Sequence, residues 1–182
     1  MKIILVTGVI GGGKDYFAEE YVKEHPDENV RVLRFASPLR SIVEEMFKID
    51  KDEASYTKWK SIPANRKFMV DLGQSMKSVF GKDFFARQLV ERNGLNMTFW
   101  SPITILIPDF RFPIELETLL ERTMLNGRKV DIVFCDYPSE RYELLPEQES
   151  ERMALFLKKR GYNHRQIISV VEFLNLMKEY EG

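Results

Sequence analysis

The sequence predicts an α/β fold built on a mainly parallel five-stranded sheet flanked by helices. Two observations lead to it. Short apolar runs alternate along the chain with amphipathic stretches, the habit of sheets whose parallel strands are joined by helices. The first of those runs, "KIILVT", passes directly into the glycine-rich turn "GVIGGGKD" and then into a helical stretch. The length of 182 residues fits one domain, and no Gly/Ser-rich linker divides it.

Taken in order, "KIILVT" is the first strand and "KDYFAEEYVKEH" a helix with Phe17, Tyr21 and Val22 on one face, ended by Pro26. "VRVLRF" at 30 to 35 alternates apolar residues with Arg and reads as the second strand. "SPLRSIVEEMF" follows as a helix, with Ser37 as its N-cap and Pro38 at its first position. From about 50 to 93 there are helical stretches and no convincing strand, which marks a helical insertion. "PITILIP" at 102 to 108 is apolar and β-branched enough for a central parallel strand. "PIELETLLERTML" is a helix with Leu116, Leu119 and Leu120 on one side, closed by "NG" at 126 and 127. "KVDIVFC" is a further strand. The polar segment from Asp136 reads as a loop and then a helix, "RQIIS" as a short edge strand, and "VVEFLNLMKEY" as the last helix.

Gly8, four residues, Gly13 and Lys14 reproduce the spacing of a phosphate-binding loop, lacking only the final hydroxyl. Background composition yields that spacing in roughly 5% of chains of this length. Its placement between a buried strand and a helix is what makes it meaningful, because backbone N–H groups and the positive helix end then converge on an anion. Gly11, Gly12 and Gly13 allow close approach of the backbone, and Lys14 can reach the β and γ phosphates. Asp15 stands where Ser or Thr is usual. One reading is a first-turn acid favoured by the helix dipole; the other is a carboxylate that holds Mg²⁺ beside the phosphates.

"GGGKD" followed by the aromatic Tyr16, "LRFASPLR", "FGKDFFARQLV" and "ILIPDFRFPIELE" form an ordered set. In these motifs the chain resembles the phage-type deoxynucleoside monophosphate kinases and, more distantly, the animal-type phosphomevalonate kinases. The likeness runs thinly over most of the chain and is specific at "GKD" and "DFRFPIE". It implies a three-layer P-loop kinase fold, an insertion over residues 50 to 93 that closes on the phosphoryl acceptor, and a lid over about 136 to 150. It also implies ATP and Mg²⁺ as cofactors. Gly8, Gly11, Gly12, Gly13, Lys14, Asp15 and Tyr16 would bind the donor, and Asp15 and Asp109 would organise the metal. Lys14, Asp109, Arg111 and Arg141 would be catalytic. Asp109 lies just past a central strand, where open α/β sheets place their ligands, and Arg111 is two residues on. Transfer between two anionic substrates needs several cations. Arg40, Arg66, Arg87 and Arg111 are the acceptor-side candidates, with Gln74 and Lys77 toward its base. For the last two, an amphipathic helix with Leu72, Met76 and Val79 on its apolar face explains the stretch equally well. Two segments, "PSER" at 138 to 141 and "EQESER" at 147 to 152, match the family's Ser-Glu element.

Composition narrows the alternatives. With 27 basic and 28 acidic residues, net charge −1, a bulk nucleic-acid or membrane binder is not expected, so any anion site is local. The single cysteine, Cys135, lies in an apolar run and reads as a core thiol in a reducing cytoplasm. Neither a signal peptide nor a membrane span is expected. His25 and His164 lack metal-ligand partners at useful spacing and read as structural or solvated. The expectation is a cytoplasmic kinase for a (deoxy)nucleoside monophosphate, acting on small nucleotides, with a homodimer as one option for its assembly. Rival readings are a kinase for another monophosphate such as phosphomevalonate, an ATP-binding module without catalysis, and a structural protein whose glycine turn binds nothing.

Overall fold

The computed structural model describes residues 1–97, 102–123, 129–136 and 149–181. The chain runs β1 (Lys2–Gly8), α1 (Lys14–Glu24), β2 (Val30–Val32), α2 (Ser37–Phe47), α3 (Glu53–Lys60), α4 (Pro63–Phe80), α5 (Phe84–Arg92), β3 (Thr104–Ile107), α6 (Pro113–Arg122), β4 (Lys129–Cys135), α7 (Glu149–Lys159), β5 (Gln166–Ser169) and α8 (Val170–Glu181). The five strands form one sheet in the order β2-β3-β1-β4-β5. β1 is parallel to both β3 and β4, β2 is parallel to β3, and β5 alone runs antiparallel, at the edge beside β4.

β1 and β3 are central and buried on both faces, which explains their uninterrupted apolar runs. Ile3, Leu5, Ile105 and Ile107 point to the larger core, with Leu89, Leu116, Leu119 and Phe173. Ile4, Val6 and Leu106 point to the other face, where Ala18, Phe17 and Tyr21 of α1 cover them together with Val133 and Cys135. Cys135 is fully buried, as a core thiol should be, and burial pushes its pKa up to about 11. Among the described residues no helix is long and apolar enough to cross a membrane.

Every strand and helix expected among the described residues is present, and two of the shifts at their ends bear on the site. β2 stops at Val32, although the apolar alternation continues to Phe35. Ser37 is the first residue of α2 rather than its cap; Ala36 is the N-cap, no side chain of its own segment caps it, and Pro38 moves to the second position. Both shifts have one cause. The carboxylate of Asp109, beyond the end of β3, accepts the backbone N–H groups of Phe35 and Ala36, each at 2.9 Å. A residue from a neighbouring strand thereby satisfies donors that a helix start otherwise leaves orphaned, and it turns residues 34 to 36 out of the strand. The insertion is all helical, α3 to α5, as expected. Asp52 caps α3 by accepting from the Ser55 N–H at 2.8 Å. α6 ends at Arg122 with Thr123 as its C-cap, short of the expected "NG", which lies outside the described residues.

Candidate active site

The glycine-rich loop leaves the carboxyl end of β1 and enters α1 at Lys14, with Gly13 as an N-cap that carries no side-chain hydrogen bond. Gly8 and Gly12 are required by packing. A Cβ at Gly8 would lie 1.8 Å from the Cys135 carbonyl oxygen, and one at Gly12 2.6 Å from the same atom. The end of β4 therefore presses on the loop from below and admits only glycine at these two points. Lys14 folds back over the loop, its ammonium donating to the carbonyls of Gly8 (2.8 Å) and Val9 (2.7 Å).

Beside the loop, at the carboxyl ends of β1, β2 and β3, is a cavity of about 480 Å³, within the usual range for small-molecule sites. Seven cations line it, Lys14, Arg34, Arg40, Lys60, Arg66, Lys77 and Arg111, against four acids, Asp15, Glu53, Asp109 and Glu115. A chain of net charge −1 thus gathers a local excess of positive charge. Leu39, Tyr56, Met69, Gly73, Phe85 and Phe112 supply an apolar wall. α2, α3 and α4 bring one side of this lining and the segment after β3 the other, which is why residues far apart in sequence meet.

The cations are held differently. Arg34 pairs with Asp15 at 2.6 Å. Burial alone would weaken the Arg34 cation, but Asp15 and then Asp109 outweigh it and raise its pKa. Arg40 lies over the Tyr56 ring at 4.1 Å from its centroid and pairs with Glu44 (2.6 Å) and Glu53 (2.5 Å). The Lys77 ammonium stands 3.4 Å from the centre of the Phe112 ring. Lys60 sits at the rim, exposed as a residue. Partial desolvation, and then the facing Arg111 and Arg66 guanidiniums, pull its pKa below the usual lysine range. Desolvation pushes the Asp109 carboxyl up, against the pull of its two N–H donors and of Arg34 and Arg111. Glu115, 5% exposed, accepts the N–H groups of Arg111 (2.9 Å) and Phe112 (3.1 Å). Burial, reinforced by Asp109, carries its pKa to about 7.

Of the residues singled out from sequence, Lys14, Asp15, Arg40, Arg66, Gln74, Lys77, Asp109 and Arg111 meet at this cavity. Gly8, Gly11, Gly12 and Gly13 shape the loop beside it without lining it. Tyr16 points away: it is 55% exposed and its hydroxyl donates to Glu20 at 2.5 Å. Arg87 is also elsewhere. Its guanidinium is tied to Asp83 one turn back (2.9 Å) and to the Phe80 carbonyl, and it does not line the cavity. Arg141, most of the lid segment and "PSER" lie outside the described residues. His25 stacks on Tyr21 with centroids 4.0 Å apart, and His164 accepts the Asp136 N–H at 3.2 Å; both have structural partners. Among the described residues there is no cluster of three or more His, Cys, Asp or Glu suited to a metal. A nucleotide-bound Mg²⁺ asks for less, one or two carboxylates beside the phosphates, and Asp15, 69% exposed at the loop's end, fits that demand.

Sequence reasoning missed Arg34, Glu53, Tyr56, Lys60, Gly73 and Glu115. Arg34 was hidden by its place in an alternating strand pattern. Gly73 carried a signal, a glycine in the middle of a long amphipathic helix.

No model of a known protein family matches the chain, and no curated protein is significantly similar to it.

Proposed function

We propose that this protein is an ATP-dependent kinase that transfers the γ-phosphoryl group to a (deoxy)nucleoside monophosphate, on a P-loop kinase fold. The observation that carries the reading is the junction of a glycine-Lys14 loop at the end of β1 with a cation-rich, aromatic-walled cavity at the ends of β2 and β3. Phosphoryl transfer asks the protein chiefly for positioning and neutralisation of charge, and this cavity offers both. Tyr56, Phe85 and Phe112 add aromatic surface to the lining, which is compatible with a flat base.

In this reading the loop amides and Lys14 hold the donor's β and γ phosphates, Lys14 exchanging the Gly8 and Val9 carbonyls for phosphate oxygens. Arg111, Arg66 and Lys60 draw the acceptor phosphate toward the loop. An acceptor phosphate oxygen attacks the γ phosphorus in line, the bond to the β-bridging oxygen breaks, and ADP leaves with the nucleoside diphosphate as the other product. Asp15, with Asp109 as the second candidate carboxylate, would hold the Mg²⁺ that comes with ATP, and that ion would supply neutralisation of charge on the phosphates. Asp109 keeps the Arg34–Ala36 segment in place through its two backbone hydrogen bonds.

A coupled assay of ADP release with Mg·ATP against a panel of ribo- and deoxyribonucleoside monophosphates, with phosphomevalonate alongside, tests the proposal. Turnover with at least one nucleoside monophosphate, abolished in a folded Lys14→Ala variant, is the expected result. No transfer to any nucleotide, or full activity in Lys14→Ala, would overturn it.

A further inference from the structure

The loop's acid has a partner that its sequence position does not suggest. Asp15 reaches across the mouth of the cavity to Arg34, Oδ1 to Nη1 2.6 Å. The backbone just beyond Arg34 is fastened independently, Phe35 and Ala36 N–H donating to the two Asp109 oxygens. The two acids that sequence reasoning gives to the metal thus both act on one segment, one on its backbone and the other on the guanidinium. Arg34 lines the same cavity as Arg66 and Arg111. Its fork can serve a carboxylate or a phosphate with equal ease. The Asp15 carboxylate is 69% exposed and the Arg34 side chain 33%, so the pair is cheap to open.

We propose that the Asp15–Arg34 pair is a counter-ion latch that couples the two substrate sites: while the donor is absent Asp15 neutralises Arg34, and Mg²⁺-bound donor at Asp15 releases Arg34 to the acceptor's phosphate. The inference rests on the kinase reading above. Because Asp109 fixes the backbone, the exchange needs only rotation of the Arg34 side chain. Asp15 is then a positioning residue acting through Arg34, and the donor strengthens acceptor binding with the reciprocal effect required by linkage.

Calorimetric titration of the nucleoside monophosphate that the panel assay finds turned over fastest, with and without saturating Mg·AMP-PNP, tests the latch in the wild type and in Asp15→Asn, Arg34→Gln and Glu53→Gln. In the wild type the donor analogue is expected to tighten the monophosphate by about tenfold, inside the usual span of coupling between sites. Asp15→Asn should tighten donor-free binding severalfold and shrink the coupling to less than about twofold, since Arg34 is already released. Arg34→Gln should bind weakly in both conditions with no coupling. Glu53→Gln removes the same charge from the same cavity, paired there with Arg40, and should keep the coupling.

Donor-free affinity unchanged in Asp15→Asn, coupling retained in it, no coupling in the wild type, or coupling lost equally in Glu53→Gln each overturns the latch. The donor-free arm decides even if Asp15→Asn no longer binds the donor analogue. Failure of the kinase reading looks different: no nucleoside monophosphate of the panel is turned over, or Lys14→Ala binds Mg·AMP-PNP as tightly as the wild type, and the latch then falls with it.

Discussion

Gly73 separates what the fold wants from what the site wants. It is buried near the middle of the 18-residue helix α4, where glycine costs about 0.8–1.0 kcal/mol relative to alanine. Packing does not demand it, because a Cβ there would meet only Leu39 Cδ2, at 3.4 Å, an ordinary van der Waals contact. Gly73→Ala should therefore stabilise the protein by about 1 kcal/mol, read as a rise in melting temperature of about 2–4 °C for a chain of this size. Gly73 also lines the 480 Å³ cavity, so on the kinase reading the added methyl group would take space from the acceptor. The acceptor's KM is expected to rise severalfold with kcat little changed, the pattern of lost uniform binding. Calorimetry of the substrate-free protein and steady-state kinetics on the same preparation give both halves. A lower melting temperature would refute the placement of α4 against Leu39. A higher one with unchanged KM would refute the assignment of Gly73 to the acceptor's wall.

Two further outcomes follow from the loop and from the buried acid behind it. Gly8→Ala puts a Cβ 1.8 Å from the Cys135 oxygen at a φ of +145°, and should cost about 2–5 kcal/mol from backbone strain and overpacking together. Gly161→Ala, at φ +88° with nothing within 4 Å, should cost only about 1–2 kcal/mol for its backbone; equal denaturation midpoints for the two variants would refute the close approach of β4 to the loop. Glu115, facing Asp109 and Lys77, has its pKa raised to about 7 from an ordinary 4.5, so the fold keeps a proton that the unfolded chain has already lost. Stability should then fall as pH rises from about 4.5 to 7, by at most about 1.4 kcal/mol per pH unit. Glu115→Gln should flatten that slope in denaturation curves taken between pH 5 and 7, and an unchanged slope would refute the assignment.

What could be read from sequence was whatever depends on neighbours along the chain. Five apolar runs became five strands, the strand-poor stretch became α3 to α5, and the glycine-Lys14 loop stands at the end of a central strand. Asp109 was legible as a strand-end acid, but its grip on Phe35 and Ala36, more than seventy residues earlier, was not. That one contact shortens β2, moves the start of α2 and frees Arg34 from the strand, so three local errors share one long-range cause. Arg87 failed in the opposite direction, since Asp83 within its own helix turn holds it. Glu53, Tyr56 and Lys60 have nothing distinctive around them in sequence; only the folding of α3 against α4 gives them a role.

Beyond Lys14 and Lys77, the cavity's cations differ in their surroundings, and the difference bears on where a phosphate would settle. Arg34 and Arg40 are neutralised by Asp15, Glu44 and Glu53, and their pKa values are raised. Lys60 is shifted the other way, in part because Arg111 and Arg66 face it. Like charges that face one another in a partly desolvated site favour the binding of a dianion between them. On the kinase reading, the acceptor phosphate is expected where Lys60, Arg66 and Arg111 face one another, with Arg34 beside the loop. On this view Asp15 replaces the usual hydroxyl for a reason of charge: a neutral side chain could not hold a guanidinium back from the acceptor, whereas a carboxylate can, and a divalent cation can take it away.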